Sequence, residues 1–463
     1  MTQSASRPCV RMLAAAPVLL LSAAMFAFAL FYKPSVAHSI PAFARQTGQE
    51  CSACHVGSFG PQLTRYGRDF KLNGYVWGSA SNPLKGLSAM AFGGIEHTGE
   101  DLRRGTELTG VQERFHTNNN PTLDQFSLFY GGRLLSNVGM LAQATYSNPK
   151  ESFAWDNTDI RFADNATLAG ESLVYGVSLN NNPSVQDIWQ TTPAWRFPYL
   201  TSALAPTPDA SPYISSLGGR VAGLGAYGMW NDLVYGELSG YATLPNHTQL
   251  TLGEKNAAQN DYLSGVAPYW RLALQQDFGQ HYVSVGTYGI AASRYPDNVR
   301  DFGTDTLLDY AADATYQFTS GDGRHSVSVY GSALHERQTL NATFAAGNSA
   351  NLTDDLNDLR ANIAYYYDNK YGVTLGRFST TGSADATLYP DASHRPDSTG
   401  WIVQCDFTPL GTADSLGWPY LNARFFVQYT AYNSFNGVGS NYDGTGRNAS
   451  GNNTLFAGTW LAF

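Results

Sequence analysis

The chain has 463 residues, of which 14% are charged, and its formal net charge is −9 at pH 7. This acidic balance argues against nucleic acid as a partner, because phosphate binding needs a basic face. A mean hydropathy of −0.26 and the lack of a mature apolar run of roughly 20 residues exclude a polytopic helical membrane protein. The 46 glycines and 13% aromatic residues favour a chain rich in strands and turns.

The first 37 residues have the pattern of an export signal. Arg7 and Arg11 precede an apolar run over residues 13–32, and Ser35 and Ala37 are the small residues that a cleavage site needs. We therefore expect a cleaved signal peptide over residues 1–37. An uncleaved signal anchor is the alternative, because the run is long enough to span a bilayer.

Cys51, Cys54 and His55 spell C-x-x-C-H in the stretch QECSACHVG. In an exported chain this motif predicts thioether bonds from both cysteines to one haem, with the histidine as an axial iron ligand. We expect one covalently attached haem c, with His55 as the metal ligand. A zinc site and a redox disulfide are the alternatives, but no second Cys pair stands at zinc spacing. Cys9 leaves with the signal, and Cys405 is expected to be a buried or lipid-facing hydrophobe.

Residues 38–86 form the predicted monohaem cytochrome c segment, which is too short for the helical bundle that normally wraps such a haem. The stretch GPQLTRYGRDFKLNGY predicts one short helix that begins after Pro61 and stops at Gly74. A unit this small needs an additional wall. We expect it to pack in or under the periplasmic mouth of the domain that follows.

Other residues of this region are candidates for haem contacts. A distal iron ligand is open among His38, Met90, His97 and water, with ordinary surface or strand packing as the alternative for each residue. The helix also carries three cations that could pair with the haem propionates, with a solvated helix face as the alternative. They are Arg65, Arg68 and Lys71.

Residues 87–463 break into segments of about ten residues, many of which alternate apolar and polar side chains. In LNARFFVQYTAY, Phe425 and Val427 share one face, whereas Arg424 and Gln428 share the other. Short connections alternate with long ones along most of the chain. We therefore expect an all-β fold, an outer-membrane antiparallel β-barrel of about 16 strands. A soluble sandwich or propeller is the alternative. The predicted strands begin near residues 87, 125, 138, 154, 171, 219, 233, 267, 282, 306, 325, 357, 371, 400, 421 and 453.

The stretch Pro41 to Tyr75, PAFARQTGQECSACHVGSFGPQLTRYGRDFKLNGY, resembles the head of the fused monohaem cytochrome–porins of iron-oxidising bacteria. The order of signal, haem motif and barrel matches along the whole chain, and residues 180–199 are also similar. The resemblance implies an outer-membrane Fe(II) oxidase, an oxidoreductase that passes electrons from extracellular Fe(II) to a periplasmic cytochrome or copper protein. It carries over Cys51, Cys54 and His55 and leaves other catalytic residues unknown.

Two further functions stay open. A diffusion porin with a structural or sensory haem would use lumen arginines to tune anion passage, and an electron conduit would serve another extracellular donor or acceptor. The arginines are Arg133, Arg271, Arg360 and Arg424. Acidic loop residues could attract Fe²⁺ weakly, with solvated charge as the alternative: Glu100, Asp101, Asp354, Asp355 and Asp358. A long loop could fold into the lumen through Trp189, Trp195, Phe197 and Tyr199, although packing alone also explains these aromatics.

Overall fold

The computed structural model describes residues 41–79 and 83–463. The predicted signal peptide and His38 lie outside these ranges. Within them the strands form a single antiparallel sheet, and β1 pairs with both β2 and the last strand, β17, so that the sheet closes on itself. Closure leaves no unpaired strand edge, which is the condition for a sheet to span a bilayer.

The strands follow one another around the wall in chain order. They are β1 (Leu87–Thr98), β2 (Pro121–Leu135), β3 (Val138–Ser147), β4 (Ser152–Leu168), β5 (Glu171–Asn180), β6 (Val221–Trp230), β7 (Val234–Thr243), β8 (Tyr262–Leu263), β9 (Ala267–Asp277), β10 (His281–Tyr295), β11 (Asp305–Thr319), β12 (His325–Thr339), β13 (Thr353–Tyr367), β14 (Tyr371–Gly382), β15 (Ser398–Phe407), β16 (Asn422–Ser434) and β17 (Thr454–Ala462).

The wall has sixteen strand positions, because the two-residue strand β8 pairs with the end of β10 beside β9. The predicted fold class, a barrel of about 16 antiparallel strands after a short, mainly helical segment, is confirmed. Every predicted strand start lies within four residues of the observed one. The period-two pattern succeeds because it reflects the two environments, lumen and exterior, that each strand separates.

Apolar side chains cover the outside of the barrel and polar ones point inward. On β16, Phe425 and Val427 are 36% and 49% exposed, whereas Arg424 and Gln428 are both 2% exposed. The same alternation runs along β13, where Ile363 is exposed and Asp358 is buried. The outer face is therefore suited to lipid. Cys405 lies exposed on β15, as expected for a lipid-facing small hydrophobe.

The two ends of the barrel differ in the length of their connections. One end carries the tight turns 136–137, 169–170, 231–233, 278–280, 320–324 and 368–370. The connections at the other end are mostly long. The exception at the short-turn end is the stretch 408–421, which contacts residues that precede the barrel: Ala413 N donates to Glu50 Oε2 at 2.9 Å, and a Cβ on Gly411 would lie 2.2 Å from Ser58 Cβ. This contact explains why one turn is long.

Three short helices form the N-terminal segment: α1 (Pro41–Thr47), α2 (Cys51–Cys54) and α3 (Arg65–Leu72). Two more, α4 (Asn246–Thr251) and α5 (Asn341–Ala345), lie in long connections. No helix among the described residues is long and apolar enough to cross a membrane. The N-terminal segment packs inside the short-turn end of the barrel, where Asn422 Nδ2 donates to Ser58 O at 2.7 Å and Arg424 Nη2 to Phe59 O at 2.9 Å.

A second stretch, residues 181–220 between β5 and β6, folds into the lumen, and we call it the lumen segment. Its Trp189 is 1% exposed and donates its indole N–H to Tyr282 Oη at 2.7 Å. Asp187 accepts the backbone N–H groups of Trp189, Thr191 and Thr192. The aromatic loop predicted from the sequence thus turns inward. The lumen segment and the N-terminal segment together occupy the interior.

Replacing Asp187 by Ala tests how firmly the lumen segment is held. Arg271 Nη2 lies 3.6 Å from Asp187 Oδ1 and 2.7 Å from Asp313 Oδ2. Breaking a buried ion pair from one side typically costs about 3–5 kcal/mol. We expect a lower midpoint of thermal unfolding, read from the heat-dependent mobility of the barrel in detergent gels. Asp301→Ala, in the exposed connection after β10, is the control, and equal midpoints for both variants would contradict this account.

Candidate haem site

The C-x-x-C-H motif forms helix α2 and the residue that follows it. Cys51 and Cys54 are three positions apart on one helical turn, so their side chains leave the same side of the helix. Both are buried, at 2% and 9% exposure. His55 has an extended backbone and forms a β-bridge with Leu63, which turns the chain back toward helix α3. The local fold therefore presents two thiols and one imidazole together.

Helix α3 packs directly on the motif. Thr64 caps the helix, since its Oγ1 accepts the N–H of Gly67 at 3.3 Å, and its own N–H donates to Cys54 O at 3.0 Å. A Cβ on Gly67 would lie 2.3 Å from Cys54 O, so only glycine allows this approach. The predicted helix is confirmed, with its end at Leu72 and a left-handed Gly74 two residues later.

A cavity of about 400 Å³ opens beside the motif. This volume is in the range of roughly 300–1,000 Å³ typical of cofactor and ligand sites. Its walls come from the N-terminal segment, the lumen segment and strands β16, β17 and β1 to β4. The apolar and aromatic wall residues include Phe43, Phe59, Leu63, Phe70, Met90, Phe129, Leu141, Trp195, Tyr199, Leu200 and Trp460.

The residues at the cavity fit a covalently bound haem. Cys54 and His55 both line the cavity, and Cys51 lies buried one turn before them. Nδ1 of His55 is a buried ring nitrogen without a hydrogen-bond partner among the described atoms. Burial lowers the pKa of His55 to about 4, which keeps the imidazole neutral, the form that ligates iron. Burial also raises the pKa of the Cys54 thiol to about 12, as suits a cysteine in an apolar wall.

Of the three cations predicted to face the propionates, Lys71 alone lines the cavity. Its Nζ donates to Val185 O and Asp187 O, both at 2.7 Å, which leaves one N–H for another acceptor. Arg68 points elsewhere: its Nη1 donates to Gln317 Oε1 at 2.6 Å. Arg65 is exposed and pairs with the carboxylates of Asp232, in a short turn, and Asp277, at the end of β9.

Arg196, a cation that the sequence reasoning missed, also lines the cavity. It belongs to the lumen segment, and its Nη1 lies 2.5 Å from Asp358 Oδ2. The stretch TTPAWRFPY contains it between two aromatics that were noted for folding inward. The sequence signal for Arg196 was its position between Trp195 and Phe197, because a loop that folds inward also brings the charged residue between its aromatics into the lumen.

The candidates for the sixth iron ligand are placed far apart. Met90 is 7% exposed and lines the cavity. His97 lies near the other end of β1, where its Nδ1 is 2.9 Å from Asn119 Oδ1 at an exposed position. Met90 therefore lies at the cavity, whereas His97 lies toward the end of the barrel that carries the long connections.

The acidic candidates for Fe²⁺ do not form a common site. Glu100 and Asp101 lie in the connection after β1, but Asp354, Asp355 and Asp358 belong to strand β13, so the prediction of an acidic loop there is wrong. Asp354 and Asp358 point inward and Asp355 outward, as strand alternation requires. Among the described residues there is no group of three or more His, Cys, Asp or Glu side chains that could hold a metal ion.

Three of the four predicted lumen arginines point inward and are already paired. Arg271 contacts Asp313, Arg360 contacts Asp358 at 2.9 Å, and Arg424 lies 3.8 Å from Asp406. Arg133 instead lies at the short-turn end of β2 and donates to Leu135 O at 3.1 Å. Paired guanidinium groups offer little free charge to a passing anion.

Gly67→Ala tests the close contact between α3 and the motif. The added methyl would meet the Cys54 carbonyl, and overpacking of this kind costs about 1–3 kcal/mol. We expect a lower thermal midpoint for loss of the haem absorption band in the loaded protein. Gly331→Ala, at a site with open space on β12, is the control. An unchanged midpoint in Gly67→Ala would contradict the packing described here.

Comparison with solved structures returns outer-membrane proteins at low identity. No protein-family model matches the sequence, and no curated protein does. Among solved structures, the chain is similar to the outer membrane channel DcaP of Acinetobacter baumannii, with 10% identity, 81% of this chain and 96% of that chain covered, and a TM-score of 0.45. The chain is 13% identical to Salmonella typhi OmpF in complex with daunomycin, with 81% of this chain and 97% of that chain covered and a TM-score of 0.44. The chain is 9% identical to the anion-selective porin from Comamonas acidovorans, with 81% of this chain and 98% of that chain covered and a TM-score of 0.43.

Proposed function

We propose that this protein is an outer-membrane c-type cytochrome in which a porin-like barrel encloses one haem. In this proposal the protein oxidises extracellular Fe(II) and passes the electrons to a periplasmic cytochrome or copper protein. The observation that carries the proposal is the cavity lined by Cys54 and His55 inside a closed barrel. An export signal before the motif and an apolar outer face on the barrel support the same location.

The position of the motif supports a role at the periplasmic side. Short turns face the periplasm in bacterial outer-membrane barrels, and long loops face outward. Asn422 and Arg424 bind the backbone of Ser58 and Phe59, just after the motif, at the short-turn end. A soluble periplasmic carrier would therefore meet the protein at the end where the haem is attached. Fe(II) as the donor rests on the resemblance of residues 41–75 to the cytochrome–porins.

Each residue of the site has a physical task in this proposal. Cys51 and Cys54 attach the cofactor, and His55, neutral because it is buried, holds the iron. Lys71, which keeps one N–H beyond its two carbonyl partners, would bind a haem propionate in this mainly apolar cavity. The bound haem would supply one-electron chemistry, and the aromatic walls would keep water away and set its potential.

A diffusion porin with a structural haem is the second candidate, and the porin-like wall favours it. Trp189 of the lumen segment and Arg271 of the wall are both almost fully buried. Protein atoms and ion pairs therefore occupy the part of the lumen that water fills in an open porin. Transport would need the lumen segment to leave this position. The two candidates therefore predict different results for haem reduction by Fe(II) and for ion conductance.

Mixing the loaded protein with Fe(II) in a stopped-flow spectrometer tests the oxidase. We expect haem reduction within seconds, and its loss in a Cys51→Ser, Cys54→Ser double variant that still inserts into membranes. Cys405→Ser, on the outer face, is the matched control and should behave like the parent protein.

A loaded protein that is reduced by dithionite but by Fe(II) at no pH would sink the oxidase proposal. Survival of Fe(II)-dependent reduction in the double Ser variant would show instead that the motif has another task.

Planar-bilayer conductance tests the alternative. Because the lumen segment fills the interior, we expect small currents from the parent protein and large ones after residues 184–214 are replaced by a short Gly-Ser linker. Large stable currents from the parent protein would favour the diffusion porin and contradict a plugged lumen.

A further inference from the structure

We propose that the thioether sulfur of Met90 is the second axial ligand of the haem iron, with His55 as the first. The inference rests on the proposed attachment of haem at the motif. It adds a metal ligand that lies in the barrel wall, outside the cytochrome segment. The iron would then be held by one residue from each of the two parts of the chain.

The cavity itself singles out Met90. Both Met90 and His55 line it, so a group that fills it contacts the barrel strand as well as the motif. The other described methionines, Met140 and Met229, are not among the residues that line it. Thioether sulfur is an established axial partner of histidine on haem iron.

Two other polar groups at the cavity, those of Lys71 and Tyr75, are already committed. Lys71 Nζ is held by two carbonyl oxygens, and the hydroxyl of Tyr75 donates to Asp159 Oδ2 at 2.7 Å. Among the described histidines, His55 alone lines the cavity. His97 lies toward the opposite end of β1. Met90 is thus the available soft donor in this part of the chain.

The barrel holds Met90 in a fixed place. Its backbone lies between two neighbours in the sheet, with Ala462 on β17 and Ser127 on β2 as register partners. Its side chain shares the buried face of β1 with Phe92. A ligand on a paired strand moves little, which favours a ligand that stays bound in both oxidation states.

Methionine ligation also suits the proposed reaction. Histidine and methionine together raise the potential of a c-type haem. An acceptor of high potential makes the oxidation of Fe(II) more favourable. The identity of the sixth ligand thereby links the barrel wall to the choice of electron donor.

Spectroscopy of the loaded Met90→Leu variant tests this inference without an activity assay. Leucine conserves the volume of the side chain but cannot ligate iron. We expect the parent ferric protein to show the sulfur-to-iron charge-transfer band at the red end of the visible spectrum. The variant should lose this band, bind cyanide faster and have a lower midpoint potential. Met140→Leu on β3 is the matched control and should keep the band.

A second variant covers the case in which Met90→Leu loses stability. Met90→His restores a strong ligand at the same position and should give a low-spin spectrum with a lower potential than the parent. If the parent lacks the band, or if Met90→Leu keeps the band, the potential and the slow cyanide binding, Met90 is not the ligand. Such a result leaves the attached haem and the proposed function intact. A purified protein without covalent haem would overturn both proposals at once.

Discussion

Arg161 joins the three parts of this molecule. On β4 it is 0% exposed, and its Nε donates to Asp159 Oδ2 at 2.7 Å in the wall. Its Nη1 donates to Lys71 O in the N-terminal segment at 3.2 Å, and its Nη2 to Gln186 O in the lumen segment at 2.6 Å. A buried guanidinium is costly unless it is paired and all its donors find acceptors. The positions of both inserted segments satisfy this requirement.

The small N-terminal segment depends on that arrangement. Its three short helices enclose too little apolar surface to be stable alone. Phe70 and Tyr75 pack with Leu141 of the wall, and Tyr227 Oη donates to Leu72 O at 2.8 Å. The barrel thus supplies the wall that the segment cannot form by itself. The proposed haem would sit between the segment and the wall.

The same construction accounts for a barrel with little open lumen. Inward-facing charges such as Arg271 and Asp313 pair with each other and with the lumen segment. A porin leaves such charges to water and solute. Here they stabilise a packed interior. The apolar outside, built from residues such as Val427, still presents a surface for lipid.

The sequence by itself determined the barrel and predicted the chemistry of the motif. Alternation with period two is a local property, so strand positions and the inward face of Arg424 could be read directly. C-x-x-C-H needs no distant partner, and Pro61 and Gly74 mark the limits of the helix beside it.

The tertiary structure decided what surrounds the motif. Met90, Arg196 and His55 are far apart in the chain, and only closure of the sheet and inward folding of residues 181–220 bring them to one cavity. The placement of Arg68 against Gln317 was equally invisible, because a helix pattern shows which residues share a face but not what that face meets. Local periodicity fixes elements, whereas contacts between distant elements depend on closure and packing of the whole chain.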